Sequence, residues 1–187
     1  MKKLILASNS PRRSEVLKKF GFNFEIKVSD YEEDKAFSDP VLTAKTFAEG
    51  KAKSVFNKLN DLNTVVLGAD TVVFSDGKIL GKASSRVQAF DMLKSLSGKT
   101  HQVITGYCVL GGEKPILDCE ISLVTFNDLT DEQINEYLDS GLYKGKAGSY
   151  GIQDPFNLVK SCSGSVNNVI GLPIEKIAPL LATVLTK

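Results

Sequence analysis

Leu4-Ile5-Leu6-Ala7-Ser8-Asn9-Ser10-Pro11-Arg12-Arg13 and Val65-Val66-Leu67-Gly68-Ala69-Asp70-Thr71 together decide the fold of this chain. Each begins as an apolar run of buried-strand length and ends in polar chemistry. In the first, the strand stops at Ser8-Asn9-Ser10 and Pro11 opens a helix predicted over 12–20. Proline suits the first helical position because its missing N–H has no partner to lose there. Backbone N–H groups, the Ser8 and Ser10 hydroxyls and the Arg12 and Arg13 guanidinium groups therefore meet at one helix N-terminus, a site for a polyanion such as phosphate. In the second stretch an apolar strand delivers the Asp70 carboxylate and the Thr71 hydroxyl at its C-terminal end, the edge at which open α/β sheets bind ligands. A phosphate cradle beside a carboxylate able to hold a metal points to nucleotide chemistry.

Outward from these stretches, apolar alternation at Phe22, Phe24, Ile26 and Val28 predicts a second strand over 22–28. An acidic loop, Asp30-Tyr31-Glu32-Glu33-Asp34, precedes a helix predicted over 40–59. The strand from Thr64 continues extended through Val72-Val73-Phe74 to a hairpin turn at Ser75-Asp76-Gly77-Lys78. A helix is predicted over 86–96, antiparallel strands over 101–110 and 115–126, and a helix over 132–139 capped by Thr130-Asp131. The glycine-rich 141–157 reads as loop with short strands, and 173–185 as a closing helix. With no repeat or linker, 1–187 reads as a single α/β domain: a mixed, bent sheet with flanking helices, in two lobes around a cleft.

The 187 residues suffice for one sizeable core, and a hydrophobic fraction of 42% with 24% charged residues is that of an ordinary soluble globular protein. A net charge of +1 gives no global attraction for nucleic acid or an anionic membrane, so basic residues matter only where they cluster. No apolar run approaches the roughly 20 residues that span a bilayer. The apolar start is too short for a secretory signal, which together with three widely spaced cysteines (Cys108, Cys119, Cys162) suits a cytoplasmic, reducing compartment. His101, the single histidine, has no neighbouring pattern that makes it a catalytic base, and a structural role is expected.

Triphosphate hydrolysis needs cations for the phosphates, carboxylates for a metal and an activated water. Arg12 and Arg13 offer forked donors to phosphate oxygens, though neighbours on a helix point about 100° apart and one of them could merely solvate a helix face. Asp70 directly follows an apolar strand, where a turn cap is the structural alternative. Lys82 follows Gly81, which lets the backbone approach a ligand. Gln153, in Lys146-Ala147-Gly148-Ser149-Tyr150-Gly151-Ile152-Gln153, carries an amide able to read a nucleobase edge, or is an ordinary loop residue.

In this order, Ser8-x-Ser10-Pro11-Arg12-Arg13, Gly68-Ala69-Asp70-Thr71-Val72-Val73, Ile79-Leu80-Gly81-Lys82, Leu96-Ser97-Gly98-Lys99-Thr100-His101-x-Val103-Ile104-Thr105-Gly106, Lys146-Ala147-Gly148-x-Tyr150-Gly151-Ile152-Gln153 and Asn168-Val169-x-Gly171-Leu172-Pro173 resemble the Maf family of nucleotide pyrophosphatases. Six motifs in order across nearly the whole chain make a specific match. The resemblance implies a fold akin to the inosine triphosphate pyrophosphatases, with the active site between two lobes. It implies hydrolysis of a nucleoside triphosphate to the monophosphate and pyrophosphate with a divalent cation, magnesium or alternatively manganese.

Carried over by the resemblance, Asp70 accepts the proton of the attacking water, with Glu33 and Lys82 beside it. Ser8, Arg13 and Lys53 line the phosphate site, and Glu33 and Asp70 hold the metal. Glu32 competes with Glu33, and Lys51 with Lys53, for these places. Arg12, Thr71 and Gln153 look like the branch that prefers dTTP and UTP, whereas the branch acting on 7-methyl-GTP differs there. Two departures stand out: Ala83 where proline usually follows Gly-Lys, and Asp154-Pro155-Phe156 in place of a glycine-rich continuation. The expected partners are a nucleotide and a second copy of the chain in a homodimer, with neither nucleic acid nor membrane. The rival expectation is a nucleotide-binding regulator of cell division without turnover.

Overall fold

The computed structural model describes residues 2–33, 37–59, 61 and 63–186; Asp34 of the acidic loop lies outside them. Along the chain the elements are β1 (Lys3–Leu6), α1 (Pro11–Lys19), β2 (Glu25–Ile26), α2 (Pro40–Leu59), β3 (Thr64–Ser75), β4 (Lys78–Leu80), α3 (Arg86–Leu96), β5 (Thr100–Leu110), β6 (Ile116–Phe126), α4 (Asp131–Asp139), β7 (Val159–Ser163), α5 (Val166–Ile170) and α6 (Ile174–Thr186). They form a mixed α/β structure around one sheet in the order β2-β1-β3-β5-β6-β7, with β4 beside β3. β1 runs parallel to β2 and β3, and the remaining pairs are antiparallel.

The ladder of β3 creates the cleft. β5 pairs along one edge of β3 from Val66 to Phe74. On the other edge β1 pairs with Thr64 to Leu67 and β4 with Val73 to Ser75, leaving 68–72 without a strand partner. Asp70 and Thr71 stand in that gap. The cores divide around it. Val65, Leu67 and Ala69 pack with α1 and α6 on one face, while Val73, two residues beyond Thr71 on the same face, packs with α3 and α4. On the opposite face Val66 meets Ala48, Ala52 and Val55 of α2, and Val72 meets Ala44. This is the expected bent sheet with a core on each side of a cleft.

Local chemistry explains the elements. Asp39 caps α2 by accepting from the N–H groups of Val41 and Leu42 at 2.8 and 3.2 Å, with Pro40 in the first position where no N–H is required. Gly68 and Gly106 let α2 lie flat on the sheet, because a Cβ at either would overlap a helix carbonyl, Ala48 or Ala44. Thr130 and Gln133 form a reciprocal capping box at the start of α4.

Two sequence expectations change, and two elements, β7 and α5, lie where none was predicted. The strand predicted over 22–28 shrinks to Glu25–Ile26: it lies at the sheet edge and finds partners only where β1 is still present, while Ile26 and Val28 are exposed. The segment 141–157 is a chain of turns, with an isolated bridge from Lys82 to Ala147. β7 and α5 had no strong periodic signal. α5 is defined instead by a Ser165 cap and by the fully buried Asn168, whose amide donates to Val103 O and Ser122 Oγ at 3.0 and 2.9 Å. Among the described residues no helix is long and apolar enough to cross a membrane.

Candidate active site

A cleft of about 540 Å³ opens at the gap in β3, within the roughly 300–1,000 Å³ of small-molecule sites. Its lining includes six basic side chains (Arg12, Arg13, Lys51, Lys82, Lys144 and Lys146) and two acidic ones (Glu33 and Asp70). A chain of net charge +1 has therefore concentrated positive charge in one concavity, which is what a polyanionic ligand requires.

Arg13 leaves the first turn of α1 and is wired on three sides. Its Nε donates to Gly171 O at 2.9 Å, one terminal nitrogen to Ser8 Oγ at 3.1 Å and the other to Thr71 Oγ1 at 3.3 Å. Five N–H donors less these three leave two that can meet a ligand. Burial lowers the Arg13 pKa, against the opposing pull of Asp70. Ser8 also accepts from the Ser10 N–H at 3.2 Å, so both of these bonds use its oxygen and leave its proton to be donated. Ser10, at the N-cap of α1, makes no side-chain cap bond, which keeps first-turn N–H groups open to an anion.

Thr71 reaches the same wall with a fixed polarity. Thr105 Oγ1 donates to Asn168 O at 2.9 Å, so the 2.9 Å contact between the two threonine hydroxyls is donated by Thr71. The Thr71 oxygen is left to accept from Arg13.

Lys51, near the middle of α2, lies between the two carboxylates, 2.5 Å from Asp70 Oδ1 and 2.6 Å from Glu33 Oε1. Burial raises the Asp70 pKa, with Lys51 and Arg13 opposing it. Burial also acts to raise that of Glu33, but the Lys51 contact together with Lys82 and Arg13 outweighs it, and the net shift is downward. Two neighbouring carboxylates are thus pushed apart, one toward a stronger base and one toward a permanent anion.

Lys53, expected at the phosphates, is not brought here. Two positions along a helix rotate a side chain by about 200°, and Lys53 faces outward, 2.6 Å from Glu49 and 53% exposed. Lys51 takes the cleft-facing position. Of the acidic pair, Glu33 lines the cleft and Glu32 is exposed away from it. Lys82 lines the cleft at the end of β4. Arg12 reaches across its mouth to donate to Gly145 O at 3.3 Å. Gln153 is exposed at the rim of the wall formed by Lys144, Gly145, Lys146, Ala147, Tyr150 and Gly151.

Sequence reasoning missed Lys144 and Lys146. Both sit in glycine-rich sequence where nothing local distinguishes a lining lysine from a solvated one. His101 is buried as expected, its Nε2 2.7 Å from the Tyr150 hydroxyl and its ring edge-on to Phe126.

Among the described residues no group of three or more His, Cys, Asp or Glu side chains could hold a metal ion by themselves. Glu33 and Asp70 nevertheless converge on a single cationic centre, the Lys51 ammonium, and are hard oxygen donors of the kind that binds magnesium together with phosphate oxygens.

Residues 3–184 match the family model described as Maf-like protein. A dTTP/UTP pyrophosphatase of Alkaliphilus oremlandii is 47% identical over 186 residues, covering 97% of this chain and 95% of the relative. Proteins of the same name from Pyrococcus furiosus and Aquifex aeolicus are 45% and 42% identical, over 97% and 96% of this chain and 95% and 94% of theirs. The crystal structure of a nucleoside-triphosphatase / dITP/XTP pyrophosphatase from Mycobacterium abscessus aligns over 98% of this chain and 94% of that one, at a TM-score of 0.43 and 13% identity, too loose a likeness to bear on function. On the family match and these relatives, the chain belongs to the Maf-like protein family.

Proposed function

We propose that this chain is a nucleoside triphosphate pyrophosphatase that converts dTTP and UTP to the monophosphate and pyrophosphate. The observation that carries this reading is the buried Asp70 carboxylate in the gap of β3, facing a cleft lined by six basic side chains. The names of the relatives, dTTP/UTP pyrophosphatases, support the choice of nucleotide.

In the reaction, the open N–H groups of α1, the Ser8 hydroxyl and the two remaining Arg13 donors hold the phosphates, with Lys82 and Arg12 adding charge around them. Asp70 takes a proton from water as its oxygen bonds to the α-phosphorus. The bond from that phosphorus to the oxygen bridging to the β-phosphate breaks, and pyrophosphate leaves with the electron pair, neutralised by the surrounding cations. The raised pKa of Asp70 makes it a better proton acceptor than an exposed aspartate. Glu33 and Asp70 fit a divalent cation, magnesium or manganese, which when bound would neutralise phosphate charge; Lys51 keeps the two carboxylates together. Gln153 offers a donor and an acceptor to the imide edge of thymine or uracil.

Pyrophosphate release from a nucleotide panel with magnesium tests this. The expected result is turnover of dTTP and UTP well above CTP, ATP and GTP. Preference for purine triphosphates or 7-methyl-GTP overturns the pyrimidine assignment. Binding without turnover of any nucleotide replaces the enzyme with a nucleotide-responsive regulator.

A further inference from the structure

The wall that carries Gln153 contains a buried ionic cluster whose members have no step in the reaction above. The Lys146 and Asp154 side chains are 8% and 7% exposed. The Lys146 ammonium contacts both carboxylate oxygens of Asp154, Oδ1 at 2.6 Å, and the Tyr137 hydroxyl of α4 donates to Oδ2 at 2.7 Å. The Tyr137 ring in turn stands edge-on to Phe156, centroids 5.1 Å apart. The cluster therefore ties the Gln153 segment both to α4 and to the preceding loop.

The backbone of the turn rests on this pair. A Cβ at Gly151 would come within 2.6 Å of Lys146 Nζ and within 2.7 and 2.8 Å of the Asp154 carboxylate oxygens, so a side chain there would displace the ion pair. The Asp154 N–H donates to Gly151 O at 3.1 Å, closing a turn whose third residue is Gln153. A buried ion pair contributes little net stability, since taking both charges out of water offsets their attraction. What this pair does supply is a fixed position for the turn directly at the rim of the cleft.

Taking Gln153 as the base-reading group, we propose that Lys146, Asp154 and Tyr137 are positioning residues that set the Gln153 amide, and that Asp154 thereby determines base specificity. The proposal rests on that reading of Gln153, and the experiment separates the two. It compares kcat/KM for dTTP and CTP, KM and kcat for dTTP, and Tm, in the parent and in Gln153→Ala, Tyr137→Phe, Asp154→Asn and the Gln153→Ala/Asp154→Asn double variant.

Gln153→Ala is expected to lower the dTTP-to-CTP ratio about tenfold or more, because a site built on hydrogen bonds discriminates through them. Asp154→Asn is expected to lower it about fivefold, mainly through KM for dTTP, and Tyr137→Phe about twofold, each within the range for losing one buried polar contact. In the double variant Asp154→Asn adds nothing to Gln153→Ala, since both act through one amide. If Asp154→Asn and Tyr137→Phe lower Tm yet keep the parent ratio and KM while Gln153→Ala does not, the cluster is structural and the proposal fails with the base reading intact. If Gln153→Ala itself keeps the parent ratio, the base reading fails and the proposal with it. Should Asp154→Asn not fold, Tyr137→Phe decides, since it removes only the hydroxyl, with its contacts to Asp154 and the Gly151 N–H, and leaves the ion pair in place.

Discussion

At the end of the cleft proposed to hold the phosphates most polar groups are carried by a regular element or lie within two residues of one: Ser8 after β1, Arg13 in α1, Lys51 in α2, Asp70 and Thr71 in β3 and Lys82 after β4, with Glu33 alone on a longer loop. At the base end the groups hang on a run of turns, in which Gly145, Gly148 and even Ser149 take positive φ (69°, 65° and 62°). The first end is held by backbone ladders and a wired guanidinium, the second by one buried ionic cluster and one histidine–tyrosine contact. Bond-making tolerates little displacement, and elements place atoms better than loops. Readout of a base can change without rebuilding the reaction, and loops are where such changes are absorbed.

The sharpest way to break this comparison is at Asp70. Asp70→Asn should cost about 10² to 10⁴ in kcat, the usual worth of a positioned base, because shape is kept and only the proton acceptor is lost. Turnover within about threefold of the parent would remove Asp70 from that role. The same variant has a stability signature. Burial raises the folded pKa of Asp70 above its unfolded value, so the folded chain binds the proton more tightly and stability falls as pH rises through that window. At neutral pH Asp70→Asn should therefore have a Tm at or above the parent's, the two converging as acid protonates Asp70. In the parent, the acid limb of kcat/KM should lie above the usual aspartate range of about 3.9.

Arg13 comes next. Arg13→Ala removes charge and fork together and should lower kcat/KM by roughly 10²-fold, as for loss of a donor to developing charge. Arg13→Lys should recover only part, since an ammonium cannot reproduce three fixed contacts and two free donors. Full activity in the lysine variant would reduce the wired guanidinium to a simple charge.

The base end should respond differently. Gln153→Glu keeps shape but loses the donor, and should cut kcat/KM for dTTP and UTP about tenfold while leaving a poor substrate nearly unchanged. An equal loss for all nucleotides would move Gln153 from readout to general binding.

A last effect, on stability and not on turnover, concerns His101, whose ring nitrogen contacts the Tyr150 hydroxyl. Burial lowers its pKa from 6.5 to about 4. The unfolded chain then takes up a proton that the folded chain refuses, so this contribution is fully present above about pH 6.5 and is lost as pH falls toward 4, up to about 3 kcal/mol. Denaturation of the parent and of His101→Gln across that range should show the parent losing more stability on acidification. Parallel pH profiles would contradict a buried neutral histidine.

The same contrast explains what could be read in the sequence. β1, β3 and the start of α1 were legible because an apolar run ending in Ser-x-Ser-Pro or Gly-Ala-Asp has few other readings. Asp70, Arg13 and Ser8 followed from those ends. The choice of Lys51 over Lys53 was not legible, because the phase of α2 is set by Gly68 and Gly106 beneath it, residues far away in the chain. The direction of the Thr71 hydroxyl bond depends on Thr105 and Asn168, again remote in sequence. Lys146 and Asp154 lie close together in sequence, yet their pairing is decided by the burial of a turn whose conformation no periodicity announces.

If Asp70 in the gap of β3 aims water at the α-phosphorus, pyrophosphate is the leaving group. Hydrolysis of dTTP in ¹⁸O-labelled water, followed by mass spectrometry of both products, tests this. One labelled oxygen is expected in dTMP and none in pyrophosphate. Label in pyrophosphate would mean that water attacks the β-phosphorus, and would contradict it.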